Sequence, residues 1–442
     1  MDHKMRTLLK LNLGASLRFL ALSFFAFSIW GGSVSGGSLD VETNGEVYWQ
    51  AAQGRGKNQS EQNLWALKAG LEIWWDAWGA RLEGLQEEDL HYRGKSYQDL
   101  EGVPTPRSEV RWATIKYEQS QGSLELGRQE IILGRSNYFQ VADMVTPVDF
   151  QQAVVTDKSR YRTPLDALRI RYTRTAWDLD FGLIQDDRLN QYPGQNSLWY
   201  QPEQNPCNLF EAAGQACQVV PDQTEQPATY QGYLRLRAFL GAFDFSLMHF
   251  EGYEREPSFG ADFVILNFKS LLEISQTRQR VPSTVATFSY TWDKHQWDIE
   301  LRRDFQAKRL NLASEAPMFQ EPHNIDYGLL AWRYPLFDGD LSSELYGRYI
   351  SDYQKGQTQD RSQSFFMIDY SKETHNQRYK HIFRQVVGIE NKDGLLHLEE
   401  SHRWTDQLHF QVGADWIWGK DTAPLGRYRQ HSRVFLGMKY HL

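Results

Sequence analysis

Leu39-Asp-Val-Glu-Thr-Asn-Gly-Glu-Val-Tyr-Trp49 is apolar or small at every odd position and mostly polar at the even ones. Successive side chains of an extended strand point to opposite faces, so a period of two describes one strand held between two different solvents. The same alternation recurs in Trp177-Asp-Leu-Asp-Phe-Gly-Leu183, in Trp297-Asp-Ile-Glu-Leu301 and in Leu408-His-Phe-Gln-Val-Gly-Ala-Asp-Trp416. Each places its charged or polar residues on one face only.

A soluble β-sandwich or lectin also alternates, so the context of the strands has to decide the solvent. The alternating runs are about nine to thirteen residues long, which matches a tilted bilayer span better than the five or six usual in soluble strands. Trp and Tyr crowd the strand ends beside short turns, as with Trp74, Trp75 and Trp78 around Asp76, and Tyr290, Trp292 and Trp297 around Asp293 to Gln296. Rings that are apolar in body and wet at the tip form girdles at a membrane interface. Connections alternate between tight ones, such as Tyr172-Thr-Arg-Thr-Ala-Trp177, and long ones at Glu87 to Arg107, Gly134 to Thr163, Gln185 to Thr229, Ala307 to Pro322 and Asp421 to Gln430. Short periplasmic turns and long extracellular loops produce this asymmetry. The pattern predicts an all-β fold: a single transmembrane antiparallel β-barrel of about 18 strands, between 16 and 20, in the bacterial outer membrane. The stretches Lys269 to Val281 and Ser371 to Trp404 are the hardest to assign within it.

Both ends agree. Lys4, Arg6, Lys10 and Arg18 precede an uncharged apolar stretch from Phe19 to Trp30, and Ser33 and Ser35 suit the −3 and −1 positions of a signal-peptidase site. Residues 1–35 are therefore expected to be a cleaved signal peptide and 36–442 the barrel; the apolar core is too short for a spanning helix, which needs about 20 residues. At the other end, Val434, Leu436, Met438, Tyr440 and Leu442 alternate with Arg433, Lys439 and His441. This resembles the C-terminal strand read by the outer-membrane assembly machinery, with Leu442 in place of the usual terminal Phe.

Charge and composition exclude other classes. The chain carries 48 Lys and Arg against 56 Asp and Glu, a net charge of −8; removal of residues 1–35 takes away four bases and one acid and brings the balance to −11. That balance, with no basic tail or domain, argues against a nucleic-acid partner. Mean hydropathy is −0.60 although 14% of the residues are aromatic, as a wall apolar on one face would give. Cys207 and Cys217 lie in a Pro-, Gln- and Asn-rich stretch with no His beside them, so a disulfide is expected rather than a metal site. No Gly-rich phosphate cradle, helical His pair or Cys cluster is present, so no cofactor or metal is expected. Glu87-Glu88-Asp89 reads as solvated surface charge.

Leu126-Gly-Arg-Gln-Glu-Ile-Ile-Leu-Gly-Arg135, then Asp143-Met-Val-Thr-Pro-Val-Asp149, then Arg162-Thr-Pro-Leu-Asp-Ala-Leu-Arg169, resembles a recurrent segment of bacterial outer-membrane porins. It is similar to the Gly-Arg-Gln strand of the alginate-export family and of related barrels, over some 50 residues. A Trp common before the second Gly is Leu133 here. The resemblance implies a porin; it does not imply alginate as the substrate.

Arginines in strand patterns are the candidates for solute contact: Arg111, Arg128, Arg169, Arg171, Arg235, Arg237 and Arg302. A charge at the bilayer midplane costs about 2 to 4 kcal/mol, so each is expected to point into the lumen. Guanidinium forks match carboxylates and phosphates, and a lumen lined with them favours small polar or anionic solutes such as sugar acids or oligosaccharides. Asp178, Asp180, Asp298, Glu300 and Asp304 share that face, so mutual neutralisation competes with solute contact. Residues 134–163 are expected to fold inward as a constriction loop, with Asp143 and Asp149 pairing with Arg128, Arg160 or Arg162. Two other functions compete. One is a closed barrel acting in adhesion or assembly through its loops. The other is an outer-membrane hydrolase built on Glu399-Glu-Ser-His402 with His397 and His409, which is disfavoured because Ser401 and His402 point to opposite faces of a strand.

Overall fold

In the computed structural model of the chain, the described residues are 39–54, 61–90, 107–136, 138–151, 162–186, 188–193, 197, 199, 207, 216–220, 230–256, 258–266, 269–310, 320–354 and 359–442. The expected signal peptide and Arg160 lie outside them.

The first nine barrel strands are β1 (Leu39–Gly54), β2 (Glu61–Trp75), β3 (Trp78–Asp89), β4 (Arg107–Gln119), β5 (Gly122–Gln129), β6 (Leu165–Thr173), β7 (Trp177–Ile184), β9 (Gln231–Leu240) and β10 (Phe243–Tyr253). The second nine are β13 (Arg280–Trp292), β14 (His295–Leu310), β15 (Gln320–Leu336), β16 (Gly339–Ile350), β17 (Ser362–Thr374), β18 (Tyr379–Gly388), β19 (Gly394–Arg403), β20 (Leu408–Trp418) and β21 (Arg433–His441). Each pairs antiparallel with its neighbours, and β1 pairs with β21, Trp49 opposite Met438, so the sheet of 18 strands closes on itself. Closure removes the free edges that would otherwise invite aggregation.

Three strands stand apart from the barrel. β8 (Cys217–Val220) pairs in parallel with β12 (Lys269–Thr277), which forms a hairpin with β11 (Ser258–Leu266). Most of the stretch Lys269 to Val281 thus belongs to this small sheet, on the long connection between β10 and β13. Ser371 to Trp404, by contrast, lies within β17, β18 and β19 and their turns. Cys207 and Cys217 form a disulfide with Cα atoms 5.4 Å apart.

Short turns occupy one end of the barrel, and several use a residue at positive φ, as at Asp76, Asp293 and Gly241. Two-residue hairpin loops need such conformations to match the strand twist. Beside these turns lie the aromatic girdle pairs Trp78–Tyr117, Tyr172–Trp177, Phe243–Tyr290 and Trp297–Trp332.

Burial is inverted relative to a soluble protein. Ile115, Leu126, Leu236, Leu301, Val434 and Leu436 face outward and are at least half exposed, while Asp180, Asp298, Glu300, Asp304, Glu344 and Asp415 are buried inside. Only a surrounding lipid phase makes that distribution stable. Two inner positions demand glycine for close approach. A Cβ on Gly127, at φ +125°, would meet the Ala113 carbonyl oxygen at 2.1 Å, and one on Gly182 would meet the Tyr233 ring at 2.1 Å.

Candidate pore and its inner loop

After β5 the chain turns into the barrel. Ile131, Leu133, Ala142 and Val145 pack against Leu165, Ala167, Ile184, Tyr233, Met248, Phe250 and Val285, an apolar patch on the inner wall of β6, β7, β9, β10 and β13. The segment then crosses to the far wall, where Phe139 stacks on Tyr346 and Phe365. Two buried carboxylates on that wall hold its backbone. Glu300 of β14 accepts from the N–H groups of Arg135 at 2.6 Å, Ser136 at 3.2 Å and Ala142 at 2.9 Å. Glu344 of β16 accepts from the Ser136 hydroxyl at 2.7 Å and from the N–H groups of Tyr138 and Phe139, each at 3.2 Å. Hydrogen bonds to an ionised acceptor are about twice as strong as neutral ones, so these carboxylates act as latches.

Asp143 closes the base of the segment by accepting from the N–H of Leu133 and from Arg162 at 2.6 Å. Asp149 pairs with Arg107 at 3.0 Å rather than with Arg128 or Arg162, and the expected Arg160 lies outside the described residues. The register brings Arg107, at the start of β4, to this point; sequence distance hid it. Burial pushes the Asp149 carboxyl up, and Arg107 opposes that shift.

The seven candidate arginines divide into three groups. Arg128 is a correction: it shares its face with Leu124 and Leu126, which are exposed, and so points outward. It sits at the long-loop end of β5 and is neutralised by Asp166 in a two-bond fork at 3.0 and 2.8 Å. The expected lipid penalty does not apply because the charge is paired and lies near the end of the strand. Arg111, Arg169, Arg237 and Arg302 are inside but committed to carboxylates. Arg111 is buried between Glu109 and Glu130, placed inward by a bulge opposite Glu83 and Gly84. Arg169 binds Asp180, Arg237 binds Asp244, and Arg302 binds Asp304.

Arg171 and Arg235 form the third group. They face each other across Asp180 in one register row, and Asp180 is already held by Arg169 and by the Tyr233 hydroxyl at 2.9 Å. Among the described residues neither arginine has a carboxylate within ion-pair distance. This wall therefore carries guanidinium charge not cancelled by direct pairing.

Other site residues escaped sequence reasoning. Arg135, on the inner segment, pairs with Asp244 and lies 3.7 Å from Asp298; Arg333 also pairs with Asp298 and donates to the Arg135 carbonyl oxygen. No local pattern marks a loop arginine as luminal. Glu300 and Glu344 were readable as inward by parity, but their role as latches was not.

Between the segment and the wall of β13 to β19 lies a cavity of about 360 Å³, lined by Tyr138, Phe139, Arg302, Tyr346, Phe365 and Arg384 among others. Among the described residues no histidine hydrogen-bonds to Ser401 directly, although His397 lies 3.6 Å from Glu399, the carboxylate that Ser401 also meets. His397 binds Asp415 at 2.7 Å, Asp415 binds Arg433, and the Ser401 hydroxyl donates to Glu399.

No protein-family model matches the sequence, and no curated protein matches it. Among solved structures the fold is similar to that of OccK8 (OprE) of Pseudomonas aeruginosa, with a TM-score of 0.52 at 8% identity over 91% of this chain and 98% of that one. It is similar to OccAB3 of Acinetobacter baumannii, with a TM-score of 0.52 at 9% identity over 92% and 99% of the two chains. It is also similar to OccK2 (OpdF) of P. aeruginosa in complex with glucuronate, with a TM-score of 0.52 at 9% identity over 91% and 98%. At these identities the likeness is one of fold. The chain is a porin-like, closed barrel of 18 antiparallel strands in the bacterial outer membrane.

Proposed function

We propose that the chain is an outer-membrane channel for passive passage of small polar or anionic solutes, sugar acids among them. The observation that carries this reading is the pair Arg171 and Arg235, which stand on the inner wall with no carboxylate in direct contact among the described residues. Fixed guanidinium charge in a narrow, low-dielectric lumen raises the local concentration of anions. The inner segment within residues 134–163 narrows the path as a constriction loop, held by Glu300 and Glu344. The OccK2 complex with glucuronate is one case of this fold holding a sugar acid. Residues 1–35 act as the export signal, and the alternating C-terminal strand engages the assembly machinery.

In planar bilayers the purified barrel is expected to give ohmic current with a reversal potential that favours anions. Substituting both Arg171 and Arg235 by Gln should move that potential toward zero. Well-folded barrels that carry no current would overturn the channel reading, and an unmoved potential would remove these two residues from it.

A further inference from the structure

Beside the apolar clusters that line the inner wall toward the long loops, one aromatic panel meets the inner segment. Tyr346 of β16 and Phe365 of β17 face the lumen from adjacent strands, and Phe139 of the inner segment stacks on both. The ring centroids are 5.0 Å apart for Phe139–Tyr346 and 5.9 Å apart for Phe139–Phe365, with interplanar angles of 18° and 26°. All three rings remain partly exposed and line the cavity of about 360 Å³, a size within the usual range for small-ligand pockets. Apolar ring surface left facing an aqueous lumen is a cost that a stacking ligand removes.

The rim of the same cavity is charged and polar. Arg302 and Asp304 lie on one side, with the Arg302 guanidinium 4.1 Å from the centre of the Tyr327 ring. Arg384 and Gln363 lie on the other, and Glu256 lies toward the long loops. Donors and acceptors thus alternate around flat apolar surface.

We propose that this cavity is a binding site for pyranose sugars, docked against the exposed surface of the Phe139–Tyr346–Phe365 stack, with hydroxyls meeting the charged rim. A pyranose combines a face of C–H groups with a circumference of hydroxyls, each both donor and acceptor. A flat aromatic acid would cover the rings but leave rim carboxylates and amides desolvated and unpaired. An inorganic anion would stack on none of the three rings. The inference rests on the channel reading for its biological setting, but binding itself does not require conduction.

The test uses the full refolded chain in detergent, titrated calorimetrically with maltotriose, cellotriose and trigalacturonate, and separately the conductance of the same preparation in bilayers. At least one trisaccharide is expected to bind and to block current. Tyr346→Ala and Phe365→Ala should each weaken that binding about tenfold, while Tyr346→Phe leaves it nearly unchanged. Binding of trigalacturonate alone supports the site as one for uronates, and binding of either neutral sugar supports a general pyranose site. Heat-modifiable gel mobility establishes that each variant is folded. The proposal is overturned if folded protein binds none of the three sugars at tens of millimolar, if the Tyr346→Ala/Phe365→Ala double variant binds them as well as the parent, or if benzoate alone binds. Sugar binding by a barrel that passes no current would retain this site and remove the channel.

Discussion

Arg171 and Arg235 differ from their neighbours in what Asp180 has left to offer. Arg169 takes both carboxylate oxygens of Asp180, and Tyr233 takes a further lone pair, so the two flanking guanidinium groups keep their field. Arg128 makes the contrasting case on the other face. Its pair with Asp166 is half exposed, and pairs of that kind contribute only about 0–1 kcal/mol. Arg128→Ala is therefore expected to leave both ion preference and barrel stability nearly unchanged; a shifted reversal potential would return Arg128 to the lumen. His431 gives the residue-scale pH dependence, in the turn Gly426–His431 of the long connection between β20 and β21. Burial, aided by the nearby Arg433 guanidinium, pushes its imidazole down to about 4. The folded state thus prefers the neutral ring. Its contribution is fully present above the ordinary value of about 6.5 and erodes as pH falls from there toward 4. Amide exchange in residues 419–432 should accelerate over that window, relative to intrinsic rates; constant protection from pH 7 to 4 would contradict it.

At the scale of elements, the inner segment is held by two kinds of force. An apolar patch anchors its ends, and Glu300 and Glu344 hold its middle through backbone N–H groups. Glu300→Ala leaves three such groups without their acceptor, at about 1–3 kcal/mol each where water cannot replace it. The expected result is a looser segment, read as higher and noisier single-channel conductance. Quiet, unchanged conductance would mean that the apolar anchor suffices. β5 illustrates a different constraint. Gly127 in Leu126-Gly-Arg-Gln129 passes so close to β4 that any Cβ collides with the Ala113 carbonyl oxygen. That close approach gives the Gly of the porin-like segment a physical reason independent of resemblance.

At the scale of the whole molecule, stability depends on the inversion of apolar and charged faces. Leu301 lies between Trp297 and Arg303 on the outward face of β14. Leu301→Arg should lower stability by about 2–4 kcal/mol, whereas Gln411→Glu, on the inner wall with Ser401 and Gly437 as its strand neighbours, should cost much less. Urea unfolding in lipid vesicles separates the two, and equal losses would argue against the assigned faces. The Cys207–Cys217 disulfide lies outside the barrel sheet, at the edge of the small sheet of β8, β11 and β12. Reduction should leave strand content and heat-modifiable mobility unchanged.

Much of this was legible in order along the chain. The two-solvent alternation of Leu39 to Trp49, the aromatic turns and the alternation of short and long connections determined the barrel, its strand number to within two and its membrane, because pleat, turn and girdle are local consequences of neighbouring residues. Parity also assigned Asp180, Asp298 and Glu300 to the inside. Tertiary structure alone decided the rest. Leu165, Ala167, Ile184, Phe250 and Val285 break the polar-inside rule because a segment from another part of the chain covers them. Arg107 reaches Asp149, and Arg171 is left without a carboxylate partner among the described residues, through registers that no local pattern encodes. Which charges cancel and which remain depends on distances across strands, and those exist only once the sheet has closed.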